Sequence, residues 1–543
     1  MKDTIWKIPK EDHGPKNKDW LLKTLAKNRG LTTSHQLDEF LHPDLAQIIN
    51  LKPTDLPKAV ERVAQAINKG EKIIVYSDYD ADGICASAIL WETLYDLGAN
   101  ALPYVPHRIK EGYGLSIEGI GKLAAEGSKL IITVDHGVTA TKQIEEAKKL
   151  KVDVIITDHH LMPKNPPKPL ALVHTTLLCG AGVAWRFAWE IANRLKPSYK
   201  DKLLDKLELA AIATVADLVP LIGANRAIVS LGLEKLTSTK RPGLKSLIRQ
   251  SGITTAIGTY EIGHILAPRI NAMGRIEHGI DSLRLLCAKN QNQADSLAKL
   301  LSKTNIKRKD LTVTAVASAL DMVNLDDLVG IVAHESWHEG VIGLVASRLV
   351  EAHHRPMIVI SRGQSYSKGS ARSIPGFNIV DAIRSSSQYL VDAGGHPMAA
   401  GFTIETRHIE IFSKKINAFA AEKITQELMT PSILIECVLP TDQINAKTLQ
   451  ITEQFEPFGI GNPQPIFLTN KMLVEDARLV GQGSKHLKLI INGKEAIWFN
   501  IREEGMNIRP GNLADGVYTL EENRFNGVNS LQMKIKDLKI AEP

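Results

Sequence analysis

Cysteine is scarce. The 543 residues hold four, Cys85, Cys179, Cys287 and Cys437, with no C-x-x-C spacing, which argues against both a disulfide framework and a structural thiolate zinc site. Long apolar runs are missing too: no stretch approaches the roughly 20 residues that span a bilayer, so no membrane segment is expected. The opening MKDTIWKIPKEDHGPK mixes both charge signs and has no apolar core. It does not read as a secretion signal, and a cytoplasmic protein is expected. Low-complexity tracts and short-period repeats are absent, and the net charge of +6 is too modest to identify a polyanionic partner by itself. What remains is an ordinary globular composition, 44% hydrophobic and 23% charged, in a chain too long for a single core. Several domains are expected.

The first half alternates apolar β-rich runs with helical segments. KIIVYS (72 to 77), KLIITV (129 to 134) and VDVIIT (152 to 157) are blocks of Val, Ile and Thr, and between them ICASAILWETLYDLG and TKQIEEAKKL carry apolar residues at helical spacing. Continuous rather than alternating apolar strands, separated by helices, predict a parallel sheet covered on both faces.

Each run ends in acid. Asp78, Asp80 and Asp82 follow the first, Asp135-His136 the second and Asp158-His159-His160 the third. Parallel strands point one way, so these groups converge on the carboxyl edge of the sheet, where open α/β sheets bind ligands. A further acid, Asp217, lies in the apolar stretch LAAIATVADLVPL, where an unpartnered carboxylate is costly to bury. An Asp after a strand is often only a helix N-cap. The repeated coincidence, joined by a His-His pair, points instead to hard oxygen and imidazole ligands for Mn²⁺ or Mg²⁺. Two such ions at about 3.5–4 Å would offset the clustered charge and activate a water for in-line attack on a phosphodiester.

These segments resemble the DHH phosphoesterases: Asp158-His159-His160 matches the signature triplet, and DYDADG, TVDHG and TVADLVPL match its companion motifs in order. PHRIKEGYGLS, LAPRINAMGR, WHEGVIGLVASRL, GSARSIPGFNI, GGHPMAAGF and FEPFGIGNPQPIF narrow the resemblance to the RecJ family of single-strand-specific exonucleases and extend it over most of the chain. The resemblance implies that Asp78, Asp80, Asp82, Asp135, His159 and Asp217 hold two divalent ions, with Asp135 bridging them, and that His160 faces the scissile phosphate. It implies hydrolysis of single-stranded DNA from the 5′ end to mononucleotides, in recombination and repair. The sequence departs from the family after the His-His pair, where the segment is short and His174-Thr175 replaces an Asn-Pro pair, and at His136.

Second-half motifs read as phosphate-handling parts, with Ser370 and Arg372 in GSARSIPG and Gly395 and His396 in GGHP. Arg108, Arg269, Asn271 and Arg275 are first-half candidates for gripping the strand or its 5′ end. The basic centre Lys307-Arg308-Lys309 of a long helix reads as a solvated face. Beyond about residue 430, short alternating strands with Gly and Asn turns predict a small antiparallel barrel. The resemblance makes it an OB-fold, offering Lys485, His486 and Lys488 as contacts and Phe455, Phe458, Trp498, Phe499 and Phe525 as aromatics for stacking.

The expected organisation is an N-terminal segment (1–50) packing on the catalytic core, a parallel-sheet α/β DHH domain (51–290), a connecting helix (291–322), an α/β DHH-associated domain (323–430) and an OB-fold (431–543). Expected partners are single-stranded DNA, a single-strand-binding protein and a helicase, with the enzyme itself monomeric. Two alternatives stand beside the exonuclease: a phosphodiesterase of short oligonucleotides or cyclic dinucleotides, and a noncatalytic single-strand-binding scaffold.

Overall fold

The computed structural model describes residues 4–8, 19–108, 111–112, 114–501, 503–523 and 530–541. Phe525, together with Ile109, Lys110 and Tyr113 of the PHRIKEGYGLS motif, lies outside the described residues. The chain forms two compact units, one of residues 43–219 and 223–429, the other drawn from 1–42, 220–222 and 430–543.

The larger unit opens on a parallel sheet. Its strands are β1 (Lys72–Tyr76), β2 (Ala101–Tyr104), β3 (Ser128–Val134), β4 (Asp153–Asp158) and β5 (Ala171–His174), in the order β2-β1-β3-β4-β5. Every pairing is parallel. The continuous apolar runs have a direct cause. Alternate residues of one strand enter different cores, Ile73, Val75, Leu130 and Ile132 on one face and Ile74, Tyr76, Ile131 and Ile156 on the other. Helices α1 (Ala81–Asp96), α2 (Gly180–Leu195) and α3 (Leu207–Ala216) cover the first face. This strand order reverses direction between β1 and β3, and ligands bind outside the carboxyl ends at such a switch point.

Helix α4 (Ala267–Ile276) packs on α5 (Gln291–Leu320), which is capped by Asn290 accepting from the Asn292 and Gln293 amides and leads toward a second sheet. That sheet contains β6 (Gly330–His334), β7 (Met357–Ser361), β8 (Tyr366–Arg372), β9 (Leu390–His396) and β10 (Ala399–Glu405), ordered β9-β10-β8-β7-β6. Only β6 and β7 run parallel. Helix α6 (Ile342–His353) packs against α5, β7 and β8, and Ile358, Ile360, Phe402 and Phe412 centre the lobe's core.

The smaller unit contains a closed five-stranded barrel of β11 (Phe467–Val480), β12 (His486–Ile491), β13 (Lys494–Trp498), β14 (Leu513–Asn523) and β15 (Ser530–Ile540). The order is β11-β12-β13-β15-β14, and β14 pairs back onto β11 to close the ring. The barrel is not wholly antiparallel as predicted, because β13 and β15 run parallel. An alternating apolar pattern fixes which face a residue occupies but carries no strand direction, so this pairing left no mark on the sequence.

Residues 1–50, expected to pack on the catalytic core, contribute to two cores. Leu21, Leu25 and Phe40 from the first helices join the barrel core, with the Phe40 ring 5.7 Å from that of Phe455, and Arg29 reaches Glu436 at 2.8 Å. Further along the segment, Ile48 enters the core of the parallel-sheet domain and Leu45 and Ile49 pack against it. Amphipathic helices advertise an apolar face but not its partner.

Candidate active site

Asp80 is a helix cap that also stands in an acidic group able to hold a metal ion. It is the N-cap of α1, where its Oδ1 accepts from the Gly83 amide at 3.0 Å. Asp78, buried, accepts from the Tyr79 amide, and a Cβ on Gly83 would sit 2.7 Å from the Asp78 Cβ, so only glycine lets the loop fold back over this carboxylate. Asp82 reaches across to the start of α2, its oxygens accepting from Gly180 and Ala181 at 2.7 and 2.6 Å. Asp135 follows β3 in a left-handed conformation with φ +66°, strain that a non-glycine residue accepts where its side chain must point one way. Gly180 clears the space beside it, since a Cβ there would lie 2.5 Å from Asp135 Oδ1. Asp217 caps the C-terminus of α3, and Leu218 turns the chain away with φ +59°.

These groups meet. His159 Nε2 lies 3.2 Å from Asp135 Oδ1, 3.6 Å from Asp217 Oδ2 and 3.9 Å from Asp82 Oδ2. Donor atoms of Asp82, His159 and Asp217 fall within 4.8 Å of one another, as do those of Asp78, Asp80 and Asp135 and those of Asp135, His159 and His160. Asp135 Oδ1 and His159 Nε2 are buried without a hydrogen bond. Burial, then the neighbouring carboxylates, hold Asp78 and Asp135 well above the usual carboxylate range, push Asp82 up to about 6 and Asp217 to about 8. Burial and then His160 push His159 down to about 4, leaving it the neutral imidazole that ligates metals. Crowded carboxylates that cannot all ionise alone, beside an orphaned imidazole nitrogen and an orphaned oxygen, fit a pair of divalent cations.

His160 is held differently. Its Nδ1 lies 2.7 Å from Asp158 Oδ1, its ring stacks on His396 at 5.8 Å and 12°, and its carbonyl lies 2.8 Å from His174 Nε2. Burial opposes the charge on His160, but the Asp158 bond outweighs it and the group rises to about 9. Asp158 joins none of the metal-type groups. It accepts from the amides of Val138, His159 and His160 as well, and against the effect of burial these bonds keep it below the ordinary carboxylate range. Its position after β4 gave the signal for a site acid, and only the contacts separate this positioning role from ligation. His136 stands apart: buried, with Nε2 3.1 Å from the Tyr76 carbonyl oxygen, it is pushed by burial down to about 4 and enters none of these groups.

Three arginines collect beside the acids. The Arg108 guanidinium stands 5.0 Å over the Tyr79 ring. Arg275 is pushed down to about 10 by burial and then by Arg108 and Arg372, and donates to the Gly340 carbonyl at 3.3 Å. Arg372 donates to the Ala371 carbonyl at 2.8 Å and to Ser370 Oγ at 3.4 Å. Gly395, at φ +144°, leaves no room for a side chain, because a Cβ would lie 2.3 Å from the Ala399 carbonyl oxygen. This close approach at the end of β9 carries His396 to His160.

Other candidates lie elsewhere. Asn271 accepts from the Ala81 amide at 2.7 Å and so fixes the start of α1 rather than presenting this oxygen to a ligand. Arg269 donates to the Ile265 carbonyl at 2.7 Å and neighbours Arg308. In the barrel, Lys488 lies 3.5 Å from Glu495, and Lys485 caps the short turn Gln482–Ser484. Phe455 and Trp498 are barrel core and Phe458 packs against it, whereas Phe499 is 44% exposed beside His486.

Comparison with known proteins follows the same division. The DHH family N-terminal domain matches residues 72–214, the DHHA1 domain 324–422 and the RecJ OB domain 435–537. The single-stranded-DNA-specific exonuclease RecJ of Bacillus subtilis is 36% identical over 542 residues, covering 96% of this chain and 68% of the relative. The crystal structure of RecJ from Thermus thermophilus in complex with Mn²⁺ superposes with a TM-score of 0.87 at 30% identity, over 100% of this chain and 81% of that one. The same protein in complex with Mg²⁺ gives 0.80 at 28%, over 99% and 79%. The chain belongs to the RecJ family.

Proposed function

We propose that the protein is a metal-dependent exonuclease that degrades single-stranded DNA from its 5′ end to mononucleotides. The carrying observation is the buried pair Asp135 Oδ1 and His159 Nε2, unbonded and ringed by Asp78, Asp80, Asp82 and Asp217. Family membership supports the substrate class, since the relatives are single-stranded-DNA-specific exonucleases, and the Thermus structures hold Mn²⁺ and Mg²⁺.

Asp78, Asp80, Asp82, Asp135, His159 and Asp217 would hold two divalent ions, which supply charge neutralisation and an activated water at the phosphodiester. Asp135 suits the shared position because a carboxylate has one oxygen for each ion while an imidazole nitrogen serves one. His160, kept cationic by Asp158, donates toward a phosphate oxygen. Arg108, Arg275 and Arg372, with Ser370 and the Gly395-His396 end of β9, grip the strand's 5′ end. Lys485 and Lys488 of the OB-fold are proposed strand contacts, and Phe499 its stacking surface.

We extend this reading to action in recombination and repair in the cytoplasm, alongside a single-strand-binding protein and a helicase, by a monomer. Both the acids and the arginines come from one chain, and among the described residues no helix is long and apolar enough to cross a membrane. A phosphodiesterase of dinucleotides has no use for the barrel at residues 435–537, and a scaffold has no use for a full ligand set. End-labelled single and double strands incubated with Mn²⁺ test the proposal. Mononucleotides released from single strands support it; duplex preference, or release of internal fragments, overturns it.

A further inference from the structure

The basic triplet Lys307-Arg308-Lys309 in the middle of α5 does not behave as one solvated face. Lys307 is 59% exposed and lies 3.3 Å from Glu277, and Lys309 is exposed. Arg308 between them is half-buried. Its Nε is shielded from solvent without an acceptor, and among the described residues its guanidinium forms neither a hydrogen bond nor an ion pair. Arg269 on α4 repeats the pattern, with a shielded, unbonded Nε and one donated bond, to Ile265. Helices α4, α5 and α6 pack side by side and bring Arg348, on α6, to the same place.

A partly desolvated cation without an acceptor is costly, and a cluster of them costs more. Burial, then Arg269 and Arg348, make Arg308 harder to charge, and no acid acts on it to compensate. Arg348 does meet Glu351 at 2.6 Å, but that carboxylate lies at the exposed edge of the cluster. The missing partner is an anion from outside. The fixed fork of a guanidinium fits the paired oxygens of a phosphate, and a backbone phosphate carries no base identity, as a sequence-independent exonuclease requires.

We infer that Arg308, Arg269 and Arg348 form a phosphate subsite for the strand downstream of the cleaved nucleotide. The inference rests on the exonuclease reading and adds to it a grip on the part of the strand not yet being hydrolysed. Arg308 is close enough to Arg275 for its charge to be felt there, which sets the subsite near the arginines proposed for the 5′ end. Successive phosphates of one strand would pass from the first cluster to the second.

The test measures kcat/KM on a long 5′-phosphorylated oligothymidylate and on a 5′-phosphorylated dinucleotide, for the unaltered enzyme and for Arg308→Ala, Arg308→Lys, Arg348→Ala and Lys309→Ala. The long-to-short ratio is expected to fall roughly tenfold in Arg308→Ala through a higher KM, with a salt dependence shallower by about 0.7 per lost phosphate contact. Arg308→Lys should recover part of the loss, and Lys309→Ala should show none of it. A neutral methylphosphonate walked along the strand should reduce cleavage by the unaltered enzyme at one downstream position to which Arg308→Ala is insensitive. Equal losses on long and short substrates, or an equal loss in Lys309→Ala, overturn the subsite. Should Arg308→Ala fail to fold, the exposed Arg348→Ala carries the same comparison, and an unchanged ratio there overturns it. If the unaltered enzyme cleaves neither substrate, the exonuclease reading itself has failed.

Discussion

His159 Nε2 lies 3.2 Å from Asp135 Oδ1, and neither atom forms a hydrogen bond. Two buried polar atoms left unbonded side by side would each forfeit about 1–3 kcal/mol. A cation held between them, as proposed, would remove that penalty and account for the surrounding acids.

Asp135→Asn should therefore separate stability from function. Hydrolysis should fall by at least two orders of magnitude, on the order of the loss expected when metal coordination is damaged. The metal-free variant should nonetheless melt higher than the metal-free parent, by about 1–2 kcal/mol in stability, because one member of a mutually repelling buried set has gone. Activity assays and calorimetry in chelator measure the two halves.

Gly180→Ala should be more damaging than its size suggests. The added Cβ would lie 2.5 Å from Asp135 Oδ1, so the carboxylate must move or α2 must shift. Mn²⁺ affinity should drop about 10- to 100-fold. Titration calorimetry reads that loss, and unchanged affinity would remove Asp135 from the metal site.

Asp158→Asn tests positioning rather than ligation. It keeps the acceptor oxygen for the Val138 amide but weakens the hold on His160 Nδ1. A fall in kcat of about 10- to 100-fold is expected, with the number of Mn²⁺ bound unchanged. Loss of a metal would instead make Asp158 a ligand.

Away from the site, Glu92 on α1 is half-buried against Arg241, at 2.7 Å, and Lys206. Burial alone would raise its pKa, but the two cations outweigh burial and hold it at about 2, below the ordinary 4.5. A carboxylate depressed in the folded state stabilises above its unfolded pKa, so this contribution should be intact above pH 4.5 and disappear as pH falls toward 2. Glu92→Gln should cost about 3–5 kcal/mol near neutrality by taking the carboxylate from buried Lys206 and leaving Arg241 with Glu208 alone, and progressively less in acid. Denaturant melts across that pH range check the convergence.

The parts legible in the sequence were those that a single strand direction determines. Apolar runs ending in acid at Asp78, Asp135 and Asp158 located the sheet and its functional edge, because parallel strands leave no other arrangement. Partner choice was not legible. Nothing in the spacing separates Asp158, which holds His160, from Asp135, which faces His159. The helices around Leu25 and Phe40 showed an apolar face without an address, and Arg308 looked like its exposed neighbours because burial on a long helix depends on what packs against it. Phe455 and Trp498 were indistinguishable from stacking aromatics until the barrel closed around them.

The decisive measurement is the hydrolysis of a 5′-labelled single strand by chelator-stripped protein as Mn²⁺ is added back, with binding stoichiometry followed in parallel for the parent and Asp135→Ala. Two ions bound, activity rising with them, and neither in the variant is the expected result. Hydrolysis that persists in Asp135→Ala, or activity undiminished without metal, would contradict a site built from Asp78, Asp80, Asp82, Asp135, His159 and Asp217 around a pair of cations.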